Sequence, residues 1–324
     1  MRVVVTGGLG FIGSAYVRAL LADELPMLKR PRYVTVIDKY TYAANLNNLQ
    51  SVADDDRLRV VKADIANVDS RFIKNHDVIV NFAAESHVDR SIAGADAFVR
   101  SNVLGTQRLL DIALELGIKR FVQISTDEVY GSITHGAWDE NEPLKPNSPY
   151  AASKASADLL VQAYHRTHGL NTVITRCSNN YGPYQYPEKV IPLFITNLLR
   201  GVSVPLYGSG QNVREWIHVD DHVRGIALAQ AAGRSGEVYN IGGGAEMTNE
   251  ELTDKLLKLC GGSWEHDVDY VEDRKGHDLR YALDGSKALK ELGYAPLIKF
   301  PQGLADTVDW YRQNESWWWE NVVG

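Results

Sequence analysis

Two carboxylates stand side by side, Asp127 and Glu128, in the stretch Ser125-Thr126-Asp127-Glu128-Val129-Tyr130-Gly131. The stretch directly follows the apolar run Arg120-Phe121-Val122-Gln123-Ile124, which has the composition of a buried strand. The carboxylates therefore fall where a parallel sheet delivers side chains to a ligand crevice. An Asp-Glu pair on its own reads as solvated loop charge or a helix cap. A second motif downstream changes that reading: Tyr150 and Lys154, in Tyr150-Ala151-Ala152-Ser153-Lys154, stand at i and i+4 and share one helix face. An acid, a base and an activatable phenol can then converge on one substrate. A phenol titrates near ~10, too high for a base at neutral pH, so a neighbouring ammonium such as Lys154 is required to favour the phenolate.

The elements that must position these groups begin at the first residue. Arg2 to Thr6 reads as a strand, Gly7-Gly8-Leu9-Gly10-Phe11-Ile12-Gly13 as a glycine-rich turn and Ser14 to Leu21 as a helix, and Tyr33 to Asp38 is a second strand ending in a carboxylate. In that setting Gly7, Gly10 and Gly13 have physical tasks: a tight turn, close approach of a pyrophosphate, and close helix packing, with the helix N-terminus facing the phosphates. Asp38 would bind the adenosine ribose hydroxyls and repel a 2′-phosphate, which favours NAD over NADP, although Lys39 beside it carries the opposite charge. Asp64 and Ile65, after the strand Leu58 to Val61, fall where an adenine would lie, and Asp64 reads equally as a helix cap. Ala83-Ala84, after the strand Val78 to Phe82, is small enough for a cofactor to pass, and Ser86 is placed to hydrogen-bond a ligand. His87 and Asp89 read as a local polar pair.

With a nicotinamide alongside, Tyr150 can take a hydroxyl proton while the carbinol hydride leaves, oxidising an alcohol to a ketone. The C–H beside that ketone is acidic, and Glu128 can remove it. Asp127, if kept protonated by its surroundings, can protonate a hydroxyl leaving from the next carbon.

The strand and helix rhythm continues through a helix at about Val103 to Leu116 and another from Tyr150 to about Thr167, after a loop marked by Pro143, Pro146 and Pro149. It argues for an α/β fold with a doubly wound parallel sheet of Rossmann type and a second, smaller α/β substrate domain. After the strand Thr172 to Arg176 the rhythm breaks at Asn179 to Pro187, a polar, aromatic connector rather than a strand. Residues 1–178 and about 215–243 are expected to form the NAD-binding domain, and about 179–214 and 244–324 the nucleotide-sugar-binding domain. Val190 to Leu199 looks helical, Pro205 to Gly208 extended and Val238 to Ile241 a strand, and Thr248-Asn249-Glu250-Glu251 fits a capping box. Trp317-Trp318-Trp319 is read as covering an apolar surface.

Composition bounds the function classes. The chain has 324 residues, 44% hydrophobic and 23% charged, with a net charge of -7 and no basic block, so no nucleic-acid partner is expected. The two cysteines, Cys177 and Cys260, lie in no CxxC or His-rich cluster, and neither a disulfide framework nor a metal site is expected. No apolar run approaches membrane-spanning length and the first residues already form a strand, so a cytoplasmic protein without a membrane partner is expected.

These motifs together resemble the extended short-chain dehydrogenase/reductase family. The resemblance runs through Thr6 to Gly13, Ala83 to Ser91, Ser125 to Gly131, Tyr150 to Lys154, Arg176 to Pro183 and Asp273-Arg274-Lys275-Gly276-His277-Asp278. Asp127-Glu128 with the last two motifs is similar to its nucleotide-sugar 4,6-dehydratase branch. The resemblance implies dehydration of dTDP-D-glucose to dTDP-4-keto-6-deoxy-D-glucose on a homodimer with bound NAD. It implies that Asp127 protonates the C6 hydroxyl, Glu128 handles the C5 proton, Tyr150 acts at the C4 hydroxyl and Thr126 holds the C4 oxygen. It places Phe11, Ile12, Asp38, Lys39, Thr41, Asp64, Ile65, Ala83, Ala84, Ser101, Tyr150, Lys154 and Asn180 at cofactor positions. Ser86, Asn179, Lys189, Arg214, Asn249, Arg274 and His277 fall at nucleotide-sugar positions, with Pro205, Leu206 and Tyr207 along the base. The implied dimer packs the helices near Val103 to Leu116 and Tyr150 to Thr167 against their copies. A nucleotide-sugar 4-epimerase, a 4,6-dehydratase of another nucleotide sugar and a non-catalytic NAD-binding scaffold are the rival readings. The epimerase needs no acid and base at C5 and C6, so Asp127-Glu128 disfavours it.

Overall fold

The computed structural model describes residues 1–323. Seven parallel strands form its main sheet: β1 (Arg2–Thr6), β2 (Tyr33–Asp38), β3 (Leu58–Lys62), β4 (Val78–Asn81), β5 (Arg120–Thr126), β6 (Thr172–Cys177) and, later in the chain, Glu237–Ile241. In space they run Glu237–Ile241, β6, β5, β4, β1, β2, β3. The order reverses between β1 and β4, and the carboxyl ends on either side of that reversal open the crevice in which such sheets bind ligands. Val3, Val4, Val5, Val34, Val36, Ile79, Val80, Phe121 and Val122 are completely buried, as expected of strands with helices on both faces. Below the crevice a polar row crosses the sheet: Thr6 donates to Asn81 at 2.6 Å and Asn81 donates to Gln123 at 2.9 Å. These buried groups satisfy one another and tie β1, β4 and β5 together under the site.

The helices Phe11–Leu21 and Val219–Ala232 cover one face, and Gly105–Glu115 and Pro149–His168 the other. The last of these begins with Ser148 accepting from the N–H of Ala151 and Pro149 in the first turn, and ends at Gly169 with φ 67°. Cap, proline and glycine fix its ends, and hence the height of Tyr150 and Lys154 above the sheet.

Beyond β6 the chain builds a smaller body. β7 (Asn179–Tyr181) is a short strand, where the sequence pattern suggested a connector. It pairs parallel with β9 (Val213–His218), which pairs antiparallel with β11 (Ala245–Thr248). Between them, β8 (Val204–Tyr207) pairs parallel with Val268–Val271, which is β12 when Glu237–Ile241 is counted as β10. β9 stays in the smaller sheet to His218, and the helix Val219–Ala232 follows directly. The capping box at Thr248 and Glu251 is formed. A second core of Ile191, Phe194, Trp216, Leu252, Phe300, Tyr311 and Trp318 lies under this body. Trp318 is buried there, and Trp317 donates to Asn48 Oδ1 at 3.0 Å, which ties this segment to the short helical turn Leu46–Val52 that follows β2. Trp319 remains largely exposed. No helix among the described residues is long and apolar enough to cross a membrane.

Candidate active site

A cavity of about 580 Å³ opens at the carboxyl ends of β1, β4 and β5 and continues to the smaller body, so one wall carries both the glycine turn and Arg274 to Asp278. Gly7 has φ 66°, and a Cβ there would stand 2.7 Å from the Ala83 nitrogen. A Cβ on Gly13 would stand 2.3 Å from the Gly7 oxygen. Both positions therefore require glycine, and the turn packs directly on Ala83. The helix after this turn has no side-chain cap and no acid in its first turn, so its N–H groups face the cavity at Phe11 and Ile12, while Gly10 N closes the turn by donating to Gly7 O at 3.2 Å. Asp38 braces the same turn, accepting from Leu9 N at 3.1 Å and Tyr40 N at 2.9 Å. Burial raises its carboxyl, and these donors oppose the shift.

The catalytic turn is set by Thr126, whose hydroxyl accepts from Glu128 N at 3.3 Å and donates to Asp127 Oδ1 at 3.1 Å. Asp127 is 2% exposed and its Oδ2 has no hydrogen-bond partner. Burial, then Glu128 and Glu215, push its carboxyl well above the usual carboxylate range. Glu128 is also raised by burial, but Lys189 and Arg214 pull it back down. Neighbouring carboxylates thus differ in their charge environment, the first among anions and the second among cations, which separates an acid from a base.

Tyr150 lies beside them, and burial followed by Glu128 raises its phenol well above 10. Lys154 follows Tyr150 by one helical turn. It donates to the Ile124 carbonyl at 2.6 Å, and burial lowers its own pKa. In the protein alone, burial and the two nearby carboxylates raise the Tyr150 phenol, and the Lys154 ammonium is engaged by the sheet.

Most residues singled out from sequence line this one cavity: Thr126, Asp127, Glu128, Tyr150, Lys154, Gly7, Gly10, Phe11, Ile12, Gly13, Asp38, Lys39, Thr41, Ile65, Ala83, Ala84, Ser101, Asn180, Ser86, Asn179, Lys189, Pro205, Tyr207, Arg214, Asn249, Arg274 and His277. Asp64 and Leu206 do not. Asp64 caps a short turn by accepting from Ala66 N at 2.9 Å and pairs with Arg100 at 3.3 Å. Leu206 sits on β8 between Pro205 and Tyr207, and strand alternation turns it into the core at 2% exposure. Asp89 is not paired with His87: it accepts from Arg274 at 2.9 Å, while burial holds His87 down at about 4. Arg214 is held by the carbonyls of Val213 at 2.7 Å and Asp278 at 2.9 Å, over the Tyr281 ring. Lys189 donates to Ser86 O at 2.7 Å. Glu215, which no sequence motif singled out, lies buried behind Asp127, accepting from Gly244 N and Leu283 N at 2.9 Å each. Only recognition of β9 as a strand would have located it.

The site fits a dinucleotide. The turn leaves no room for side chains where a pyrophosphate would approach, and the buried Ser125 Oγ, Asp127 Oδ2 and Asn179 Oδ1 on the wall have no partner in the protein. Among the described residues, no group of three or more His, Cys, Asp or Glu is placed to hold a metal ion. Both cysteines are free.

Sheet order, glycine turn, Tyr150 with Lys154 and paired carboxylates define a nucleotide-sugar-modifying enzyme of the extended short-chain dehydrogenase/reductase class. Residues 4–307 match the family described as GDP-mannose 4,6 dehydratase, and the chain belongs to it. Within that family it is 58% identical to the dTDP-glucose 4,6-dehydratase of Streptomyces antibioticus, over 98% of this chain and 94% of that one. Its structure resembles that of DesIV, a dTDP-glucose 4,6-dehydratase from Streptomyces venezuelae solved with NAD bound, with a TM-score of 0.97 and 59% identity over 99% of this chain and 100% of that one. It resembles less a UDP-glucuronic acid 4-epimerase from Bacillus cereus, with a TM-score of 0.89 and 30% identity over 97% of this chain and 99% of that one.

Proposed function

We propose that the chain dehydrates dTDP-D-glucose to dTDP-4-keto-6-deoxy-D-glucose with NAD held at Gly7 to Gly13, Asp38, Ile65, Ala83 and Ala84. The observation that carries this reading is the unequal environment of the adjacent Asp127 and Glu128. Bound NAD supplies a hydride acceptor for C4 of the sugar and a hydride donor for C6. Thr126 orients the C4 oxygen and Tyr150 takes its proton. Glu128, kept toward its charged form by Lys189 and Arg214, removes the proton at C5. Asp127, held protonated among Glu128 and Glu215, gives its proton to the hydroxyl leaving C6. Arg214 and Arg274 are the donors for the diphosphate, each preset by its protein partners. A 4-epimerase would have no use for an acid and base of this kind.

The main-sheet body carries the cofactor and the smaller body the nucleotide sugar. The homodimer is supported by Val99, Leu104 and Leu159, 48%, 49% and 56% exposed on the helical face that carries Gly105–Glu115 and Pro149–His168. Free cysteines suit the reducing cytoplasm. The test is dTDP-glucose deuterated at C4, alongside UDP- and GDP-hexoses. Deuterium on the new methyl group of a dTDP product supports the reading, whereas its loss to solvent or to free coenzyme, or preference for another base, overturns it.

A further inference from the structure

Lys39 stands where a cation would welcome a 2′-phosphate, beside Asp38 at the end of β2 and on the same cavity wall as Thr41 and Ile65. The structure shows that its ammonium is already engaged. Nζ donates to Ser101 Oγ at 2.7 Å and lies 3.1 Å from Glu85 Oε1. The side chains are 30% and 13% exposed, so the pair is shielded enough to hold its geometry.

The main chain of Glu85 is held at both its N–H and its carbonyl. The side chain of Asn102 accepts from its N–H at 2.9 Å and donates to its carbonyl at 3.0 Å. The remaining Asn102 hydrogen goes to Ser153 Oγ at 2.8 Å, so the amide has one determined orientation. Ser101 and Asn102 are adjacent and buried in the π-helical turn Val99–Leu104. A π turn is rare and costs helix regularity, and it persists mostly where it places side chains for a task. Here it sets one residue on the ammonium and the next on the main chain of the acid. Of the neighbouring cations, Arg100 is likewise paired, with Asp64 at 3.3 Å, and Lys62, level with Asp38 on β3, has its ammonium 5.2 Å from the centre of the Tyr40 ring.

We infer that Glu85, held by the π turn through Ser101 and Asn102, is a specificity determinant for the cofactor: by neutralising Lys39 it leaves Asp38 as the uncompensated charge at the ribose and denies a 2′-phosphate its counter-ion. The inference rests on the dinucleotide reading of the cavity and deepens it. In the native arrangement the three charges sum to one negative charge, which ribose hydroxyls satisfy as donors and which a phosphate dianion meets as repulsion.

The test is a double-mutant cycle on equilibrium binding of NAD and NADP, measured by calorimetry at low salt on protein freed of co-purified cofactor. Glu85→Gln keeps the shape and removes the charge, and is expected to lower the ratio of the NADP to the NAD dissociation constant about tenfold. Lys39→Met leaves Glu85 unpaired and is expected to raise the ratio. The double variant returns it to within about threefold of the starting value, and added salt shrinks each shift. A ratio within twofold of wild type in Glu85→Gln overturns the inference, as does a fall that persists when Lys39 is also replaced. If Glu85→Gln does not fold, the sign of the Lys39→Met shift decides: a rise supports the inference and a fall overturns it. Wild-type protein that binds NAD with unchanged ratios in the variants sinks this inference alone, whereas wild-type protein that binds neither dinucleotide sinks the cofactor reading beneath it.

Discussion

Replacing Asp127 by Asn is expected to lower turnover sharply while making the protein more stable, and the gain is expected to grow with pH. Asp127 is 2% exposed, one of its oxygens has no partner, and its nearest charges are Glu128 and Glu215. Its native pKa is therefore raised, whereas an unfolded Asp titrates near ~3.9. The native state keeps a proton that the unfolded chain releases, so the stability owed to this group is complete below about pH 4 and is lost as pH rises through the native titration. Over the window in which the native carboxyl is protonated and the unfolded one ionised, the loss is about 1.4 kcal/mol per pH unit. Asn cannot ionise and escapes it. Urea unfolding of both proteins at several pH values between 5 and 8 gives the difference directly. A stability difference that stays flat over that range would show that Asp127 is not held protonated, and the assignment of the general acid would fall with it. Turnover should drop by about two to four orders of magnitude, the usual scale for removing a general acid.

Glu128→Gln is expected to retain NAD and sugar nucleotide while elimination falls about a hundredfold or more; full dehydratase turnover by this variant refutes the base assignment. Lys154→Met removes the ammonium that bonds Ile124 O beside a phenol already raised by burial and carboxylates. The apparent pKa of the oxidation step, read from the pH dependence of single-turnover NADH formation, should move up, and an unchanged profile counts against a role for Lys154. Leu159→Glu puts a charge on an exposed apolar helix face. Light scattering should report monomers in place of dimers at micromolar concentration, and an unaltered dimer would place the interface elsewhere.

Much of the site was legible because its chemistry is local. The glycine turn, the carboxylate pair and the i, i+4 spacing of Tyr150 and Lys154 are each short enough for sequence spacing to fix their geometry. The inner strands of the main sheet were legible because burial on both faces makes them largely apolar runs, whereas the edge strand β3 is mostly exposed. β9 was not: Arg214 and Glu215 are buried within it, at 8% and 3% exposure, and two charged residues break the pattern by which a strand is recognised. β7 escaped for a related reason, since two of its three residues are asparagines.

By itself, then, the order of residues determined which groups are available: a phosphate-sized turn, an acid at the end of β2, a phenol, and two carboxylates at the end of β5. The tertiary structure alone decided their charge states and partners. Asp127 and Glu128 are neighbours in the chain, yet Asp127 is raised by Glu128 itself and by Glu215 of β9, while Glu128 is pulled down by Lys189 and Arg214. Lys154 turned to a carbonyl, Asp64 to a cap and Lys39 to Glu85. Proton affinity and ion pairing depend on distance and burial, and residues far apart in sequence supply both.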